Sequence, residues 1–235
     1  MTGDAHPGAH NSAMGTLYLV RHGQASFGAD DYDQLSDLGR RQSERLGEYL
    51  AQQGVRLDAA ITGSLKRQKQ TWEAIGRSGG FGLPAQEFPA MDEYDSRAVI
   101  EAIHPQPLAK PDTPEAYREH FRLLRDGLTQ WMNGVLSPHG MPSYEAFRSG
   151  IHAVLDHVRR KHEGNVLLVS GGGPISTAVG LVLGLSPETT IELNLRIRNS
   201  AVSEFVFTPK RHALLTYNTL PHLDGAAYRD WVTYT

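Results

Sequence analysis

Residues Thr16–Gln24 read TLYLVRHGQ, an apolar run followed by an arginine, a histidine and a glycine. The first five residues, Thr16–Val20, predict a short strand. Arg21 and His22 then lie at the carboxyl end of that strand, where open α/β sheets bind their ligands. A neutral imidazole can attack phosphorus, and a guanidinium can hold phosphate oxygens by two parallel hydrogen bonds. The stretch therefore indicates a phosphate site, although Arg-His-Gly alone also occurs often by chance.

A second predicted junction between a strand and a helix carries more basic residues. The apolar run Leu57–Ile61 is followed by TGSLKRQKQT at positions 62–71, where a helix begins. Helix N-termini attract phosphate, and Arg67 lies one turn into this helix, from which it can turn back toward the same anion. Lys66 and Lys69 are equally well explained as solvated side chains.

Strands and helices alternate at both ends of the chain. Ser36 can cap a helix that runs to about Gln53, with Gly54 as its stop. Further predicted elements are helices over 64–77, 144–158 and 174–185, a helix that begins at Pro114, and strands over 166–169, 201–207 and 213–217. This alternation predicts an α/β fold with three layers, α/β/α, in which a mainly parallel central sheet has helices on both faces.

The middle of the chain has a different character. Residues 84–113 include five prolines, and we expect mostly irregular chain there. Apolar residues then recur at spacings of three and four from Tyr117 through Phe121 to Val135, which predicts an amphipathic helix. We expect residues 1–15 to be a flexible tail and 16–235 to form one domain, with an insert at about 84–150.

Composition excludes several classes of protein. The net charge of -3 argues against a dedicated nucleic-acid binder. The absence of cysteine excludes disulfides, thiolate metal sites and cysteine nucleophiles, and it is compatible with the cytoplasmic location that we expect. Residues 165–187 carry no charge, but the central Gly-Gly-Gly-Pro fits a strand, a tight glycine loop and a helix better than a membrane span.

No metal site is predicted from the remaining polar clusters. His152, His157 and His162 are spaced by five on a predicted helix, which does not align them on one face. Asp30, Asp31 and Asp33 lack the spacing and glycine of a calcium loop, so we interpret them as solvated.

Three motifs, in this order and spacing, resemble the histidine phosphatase superfamily, also called phosphoglycerate mutase-like. They are RHGQ at Arg21–Gln24, LSDLGRRQ at Leu35–Gln42 and GSLKRQKQT at Gly63–Thr71. The resemblance covers about residues 16–220. It implies a phosphoglycerate mutase-like fold with a helical insert beside the active site, and it implies no cofactor.

The resemblance also implies roles for individual residues. His22 would be the nucleophile that becomes phosphohistidine, and Arg21 and Arg67 would hold the phosphoryl group. The sequence MDE at 91–93 matches the position of the family's acid, so Glu93 would be the general acid. Gln24 and Ser26 follow the Arg-His-Gly motif and are expected to contact the substrate phosphate.

One position departs from the family pattern. In the family, a Ser-His-Gly element with a second histidine comes at the end of this strand. Here the corresponding stretch reads SGGGP at 170–174, and Gly171 stands in place of that histidine. The amide groups of Gly171 and Gly172 could form an anion-binding nest that substitutes for it, or the glycines could simply make a tight turn. If a phosphoryl donor is missing, Gly171→His should raise the rate.

These observations leave three functions open. The first is a phosphomonoester hydrolase that acts on a small-molecule phosphate ester through phospho-His22, with reduced efficiency because of Gly171. The second is a phosphate-ester binding or regulatory protein that kept the fold and lost efficient catalysis. The third, ranked last, is a phosphoglycerate-type mutase, because the loop over 25–34 lacks the asparagine and the Gly-Trp element of the family's mutases. The sequence does not indicate the oligomeric state.

Overall fold

A single six-stranded sheet organises the part of the chain described by the computed structural model, residues 14–26, 33–106, 108 and 113–234. The strands are β1 (Gly15–Arg21), β2 (Ala59–Thr62), β3 (Ala85–Glu87), β4 (Asn165–Ser170), β5 (Val202–Thr208) and β6 (Arg211–Thr219). The helices are α1 (Asp37–Gln52), α2 (Lys66–Gly79), α3 (Ser96–Ile103), α4 (Pro114–Met132), α5 (Tyr144–Lys161), α6 (Gly172–Leu183) and α7 (Pro187–Asn194).

The strand order is β3-β2-β4-β1-β5-β6, and it confirms the mainly parallel sheet. β1 and β2 both pair in parallel with β4, and β2 also pairs in parallel with β3. β5 runs antiparallel to β1 and β6. The register of β1 and β4 puts Arg21 opposite Ser170, so the chain segments that follow these strands begin side by side.

The sheet separates two hydrophobic clusters, which gives the predicted three layers. On one face, α1 and α2 contribute Leu46 and Ile75 to a cluster around Val169 of β4. On the other face, α5 and α6 pack Val158 and Val179 against the opposite side of the strands. Successive strand residues point to opposite faces of the sheet, so both layers of helices pack against apolar side chains of the same strands.

Local capping signals place several helix ends where the sequence predicts them. The Ser36 hydroxyl accepts a hydrogen bond from the Gly39 amide at 3.0 Å and caps α1. Gly54 follows the end of α1, and Gly80 ends α2; both have the positive φ that glycine adopts without strain. Thr113 caps α4, which begins at Pro114 as predicted.

The expectation of mostly irregular chain over 84–113 was wrong in part. Residues Ala85–Glu87 form the edge strand β3, and Ser96–Ile103 form α3, which the Asp95 side chain caps. The Asp95 cap and the buried apolar side chains of this two-turn segment stabilise a helix despite the neighbouring prolines. The first turn of α6 also begins at Gly172, so two of the three glycines are helical rather than loop residues.

Two further sequence predictions concern the N-terminal residues and the uncharged segment 165–187. Gly15 belongs to β1 rather than to the predicted tail, and residues 1–13 lie outside the described residues, so the flexible tail stays a prediction. No helix within the described ranges is both long and apolar enough to cross a membrane. The uncharged segment 165–187 is divided between β4, α6 and the start of α7.

Helices α3, α4 and α7 form a third hydrophobic cluster beside the sheet. Leu128 and Trp131 of α4 are fully buried in it, as the spacing predicts. Tyr117, near the start of α4, is 39% exposed. The prediction that the helix reaches Val135 was wrong, because α4 ends at Met132 and Val135 lies beyond it, 75% exposed. The apolar face of α4 therefore extends beyond what the fold itself buries.

A buried histidine ties the segment after β6 to the sheet. His222 lies in a short 3₁₀ helix (Pro221–Leu223) and is 1% exposed, and its Nε2 lies 2.9 Å from the Ser200 hydroxyl. Ser200 has a φ of 57°, a backbone conformation that residues other than glycine rarely adopt. Burial, with a smaller contribution from Arg45, lowers the pKa of His222 to about 3.

This pKa predicts that acid destabilises the fold. Between pH 6.5 and 3 the unfolded chain binds a proton at His222 and the folded chain does not, so stability is lost as pH falls below 6.5. The contribution of His222 is at most about 1.4 kcal/mol per pH unit. Urea unfolding between pH 7 and 5 should therefore show a shallower loss of stability for His222→Gln than for the wild type. The exposed His139→Gln should behave as the wild type, and an equal slope in His222→Gln would contradict the assignment.

Candidate active site

The His22 ring is buried at the end of β1, with only 3% of the residue exposed. Its Nδ1 lies 2.7 Å from the carbonyl oxygen of Gly23. A carbonyl can only accept, so Nδ1 carries the proton and Nε2 carries the lone pair. Arg67 Nε donates to that lone pair at 3.2 Å. The ring is thus oriented with its unprotonated nitrogen toward the guanidinium of Arg67.

Arg67 is held from behind by a carboxylate. Asp33 Oδ1 lies 2.9 Å from Arg67 Nη1, and its carboxylate also accepts from the backbone amides of Lys66 and Arg67 at the start of α2. Asp33 therefore fixes the arginine side chain and the first turn of the helix together. The interpretation of Asp33 as solvated was wrong, and Asp30 and Asp31 lie outside the described residues.

Arg21 is anchored by the backbone of two distant segments. Its Nη1 donates to the carbonyl oxygen of Ile197 at 2.5 Å and to that of Tyr234 at 2.9 Å. The backbone carbonyl of His22 in turn accepts from the Ser200 amide at 3.2 Å. The turn before β5 and the last described residues thus position both members of the Arg21–His22 pair. This support has no local signature in the sequence.

Glu93 lies against the first turn of α6. The amide of Gly173 donates to both carboxylate oxygens, at 3.0 and 3.1 Å, and the Tyr94 amide donates to Oε1 at 3.2 Å. The Gly173 amide, in the first turn of α6, therefore holds an acidic side chain of the protein, whereas a nest formed by the amides of Gly171 and Gly172 stays a prediction. Gly171 itself is the N-terminal cap of α6 and has a φ of -102°, which is not a left-handed conformation.

Asp92, which the sequence places only as a neighbour of the acid, holds the Glu93 segment in place. Its carboxylate accepts from the amide and from the hydroxyl of Ser64, each at 2.5 Å. A Cβ at Gly63 would lie 2.5 Å from Asp92 Oδ1, so a side chain at that position would disturb this contact. The β2–α2 junction and the Glu93 segment are therefore joined by these hydrogen bonds.

Burial shifts the pKa values of both proposed reacting groups. It lowers the pKa of His22 well below its usual value, and Arg67 and Arg21 lower it further. It raises the pKa of Glu93, although the Gly173 amide and the two arginines act in the opposite direction. Both shifts are toward the uncharged form, which is the form required of a nucleophilic imidazole and of a general acid.

The structure brings five of the sequence-predicted positions together: Arg21, His22, Arg67, Glu93 and the Gly171–Gly173 turn. Arg67 contacts His22 directly, Gly173 contacts Glu93, and the charge of Arg21 acts on both reacting groups. They come from the ends of β1, β2 and β4 and from the segment after β3, at the edge of the sheet where ligands are expected.

Gln24 and Ser26 are placed differently from one another. Gln24 Oε1 accepts from the Ser36 hydroxyl at 2.8 Å, and the residue also lines a cavity of about 560 Å³ beside Tyr234. The Ser26 amide donates to the carbonyl of Gln34, and Ser26 lines a second groove with Arg40, to which Gln24 also contributes. A role for Ser26 in phosphate binding stays a prediction. No group of three potential metal-ligating side chains occurs among the residues that the structure describes.

Comparison with known proteins identifies the class to which this fold and site belong. The family model of the histidine phosphatase superfamily (branch 1) matches residues 17–220, so the chain belongs to that superfamily. A protein of Hydrogenobacter thermophilus provisionally named phosphoserine phosphatase 2 is 24% identical over 222 residues, which cover 89% of this chain and 98% of the relative.

Solved structures share the phosphoglycerate mutase-like fold. Phosphoglycerate mutase from Bacillus anthracis str. Sterne superposes with a TM-score of 0.64 at 18% identity, over 90% of this chain and 96% of that one. A mycobacterial glucosyl-3-phosphoglycerate phosphatase has a TM-score of 0.60 at 20% identity, over 88% and 99% of the two chains. At such identities these structures show the fold alone.

The geometry of Gly171 reverses the expectation for Gly171→His. A Cβ at this position would lie 2.3 Å from Glu93 Oε2 and 3.0 Å from Glu93 Cβ, so any side chain must displace the carboxylate. We now expect Gly171→Ala to lower kcat at least about tenfold because the acid is moved. In a Glu93→Ala background the same substitution should change kcat little, and steady-state kinetics of the four proteins form the double-mutant cycle. Equal effects in both backgrounds would contradict this coupling.

Proposed function

We propose that the protein is a phosphomonoester hydrolase that acts through a phosphohistidine on His22 without a cofactor. The observation that carries the proposal is the hydrogen bond from His22 Nδ1 to the Gly23 carbonyl, which leaves the Nε2 lone pair for attack on phosphorus. Membership of the histidine phosphatase superfamily supports it, as do relatives and structural neighbours named as phosphatases.

In the first step, Nε2 of His22 attacks the phosphorus atom and the bond from phosphorus to the leaving oxygen breaks. Arg67 transfers its hydrogen bond from Nε2 to a phosphoryl oxygen, and Arg21 stabilises the charge on the others. The protonated carboxyl group of Glu93 gives its proton to the leaving oxygen, so the alcohol departs neutral. The products of this step are the alcohol and phospho-His22.

In the second step, water attacks the phosphorus of phospho-His22. The carboxylate of Glu93 takes a proton from that water, and the bond from Nε2 to phosphorus breaks to release inorganic phosphate. His22 returns to the neutral state that burial favours, and Glu93 is protonated again. Each group therefore ends the cycle in its starting form.

A specific observation keeps a second function in view. Gly171 carries no side chain with which to contact a phosphoryl oxygen, and the nearby Gly173 amide binds Glu93 instead. Loss of one transition-state donor typically costs about 2.7–4 kcal/mol. A protein that binds phosphate esters and turns them over very slowly would have this arrangement, so the first experiment must separate binding from turnover.

Replacement of the nucleophile tests the proposal. His22→Ala should lower the turnover of 4-nitrophenyl phosphate by at least about 10³-fold, because no other group can form the covalent intermediate. It should also abolish an acid-labile, base-stable phosphoenzyme trapped by rapid quenching with radiolabelled substrate. The exposed His139→Ala is the matched control and should retain both properties.

The outcomes separate the two candidate functions. Turnover that persists in His22→Ala contradicts the proposed mechanism. A wild type that binds inorganic phosphate, loses that binding in Arg67→Ala, and shows no turnover supports the binding protein instead.

The identity of the acid is tested by varying the leaving group. Glu93→Gln should slow benzyl phosphate about 10²–10⁴-fold, because an alkoxide needs a proton in order to leave. It should slow 4-nitrophenyl phosphate much less, since nitrophenolate leaves without one. The wild-type rate on benzyl phosphate should fall as pH rises through the elevated pKa of Glu93, and this alkaline limb should be absent in the variant.

Glu87→Gln is the control for this test, because Glu87 is an exposed carboxylate on the neighbouring β3 that pairs with Lys69. It should leave both substrates and the pH profile unchanged. An equal loss on both substrates in Glu93→Gln would remove Glu93 from the role of acid.

A further inference from the structure

We propose that the 560 Å³ cavity between α4 and the segment after α7 binds the leaving group of the substrate, and that it selects phosphomonoesters of alcohols with an aromatic body and a second anionic group. This inference rests on the proposed phosphatase function and names the class of its substrate. The cavity is defined by Gln24, by Tyr117, Phe121 and Arg125 of α4, by Leu195 and Arg196, and by Thr233 and Tyr234.

The cavity adjoins the proposed phosphoryl site. Gln24 comes two residues after His22 and lines the cavity wall. Tyr234 lines it too, and the carbonyl of Tyr234 accepts from Nη1 of Arg21. The Arg21 guanidinium thus contacts a residue of the cavity wall, so the alcohol of a phosphoryl ester held by Arg21 would lie beside this space. The cavity is large enough for an alcohol of about one aromatic ring with substituents.

The α4 wall carries an aromatic pair that the fold does not bury. Tyr117 and Phe121 lie one turn apart, with ring centroids separated by 5.1 Å, and Tyr117 is 39% exposed. They continue the apolar stripe of α4 beyond the point where Leu124 and Leu128 enter the core. Leu195 faces the same cavity from the segment after α7. Exposed aromatic rings in a concave site favour an aromatic or apolar ligand.

The rim of the cavity carries an excess of positive charge. Arg125 and Arg196 both line it, and both form ion pairs with the single carboxylate of Glu192. Two guanidinium groups against one carboxylate leave one positive charge at the cavity. An anionic group on the leaving alcohol would take the place of Glu192 as a partner for one of these arginines. A small uncharged alcohol would use neither the rings nor the arginines.

Three substrates whose leaving alcohols are of similar acidity separate the contributions of the aromatic rings and of the arginines. Benzyl phosphate has the aromatic body, 4-carboxybenzyl phosphate adds the anionic group, and ethyl phosphate has neither. For the wild-type protein, we expect kcat/KM to rise from ethyl phosphate to benzyl phosphate to 4-carboxybenzyl phosphate, by roughly tenfold at each step.

Variants of the cavity should change this order in opposite directions. Phe121→Leu should lower kcat/KM for both benzyl esters by roughly tenfold and leave ethyl phosphate within about twofold. Arg125→Gln should lower only the carboxybenzyl ester. Glu192→Gln should raise the carboxybenzyl ester severalfold because it removes the competing carboxylate, a gain that a purely structural residue would not give. Arg118→Gln is the control, since Arg118 is exposed on α4 outside this cavity.

The outcomes distinguish this inference from the proposed function. Turnover of all three esters with no response to Phe121→Leu or Glu192→Gln overturns the cavity assignment and leaves the phosphatase intact. If nothing is turned over, calorimetric binding of benzylphosphonate and 4-carboxybenzylphosphonate replaces kinetics. The same pattern among the variants then supports the cavity although the enzyme is lost, and equal affinities in all variants overturn it.

Discussion

The parallel pairing of β1 with β4 is the constraint on which the site depends. It sets Arg21 opposite Ser170, so His22 and the Gly171 turn leave the sheet side by side. β2 pairs with the other edge of β4 and brings the start of α2, with Arg67, to the same end. Parallel strands share one carboxyl edge, and three chain segments far apart in sequence therefore converge there. A shift of one residue in the register between β1 and β4 would turn the His22 imidazole away from Arg67 and from the Gly171 turn.

The positive charge of the site is balanced by partners that the protein itself supplies. Burial lowers the pKa of His22 and raises the pKa of Glu93, while Arg21 and Arg67 bring positive charge to the same place. Asp33 balances one guanidinium, and backbone carbonyls hold the other. A buried cation without such partners would be costly. The carbonyls of Ile197 and Tyr234 therefore stabilise the charge of Arg21 and belong to the site.

The sequence predicts those parts of the molecule that local chemistry determines. Ser36 caps α1 because its hydroxyl reaches an amide three residues away, and the same logic applies at Thr113. Contacts between distant residues leave no such pattern. Asp33 reaches Arg67 across the start of α2, and Glu93 reaches Gly173 across 80 residues, so the partners of both groups could be found only in the fold. Whether the Gly171 turn holds substrate or protein was likewise a matter of tertiary packing.

The position of the Glu93 carboxylate against the first turn of α6 has an evolutionary consequence. Both Gly171 and Gly173 lie so close to the carboxylate that a Cβ at either would approach it to 2.3 Å. Position 93 and the neighbouring positions 171 and 173, which are far from it in the gene, are thus coupled, because Glu93 can keep this position only while both glycines persist. A lineage that gains a side chain at 171 must also have found another path for its acid. Exchanges at 93, 171 and 173 should therefore have been inherited as a set, with single replacements eliminated by selection.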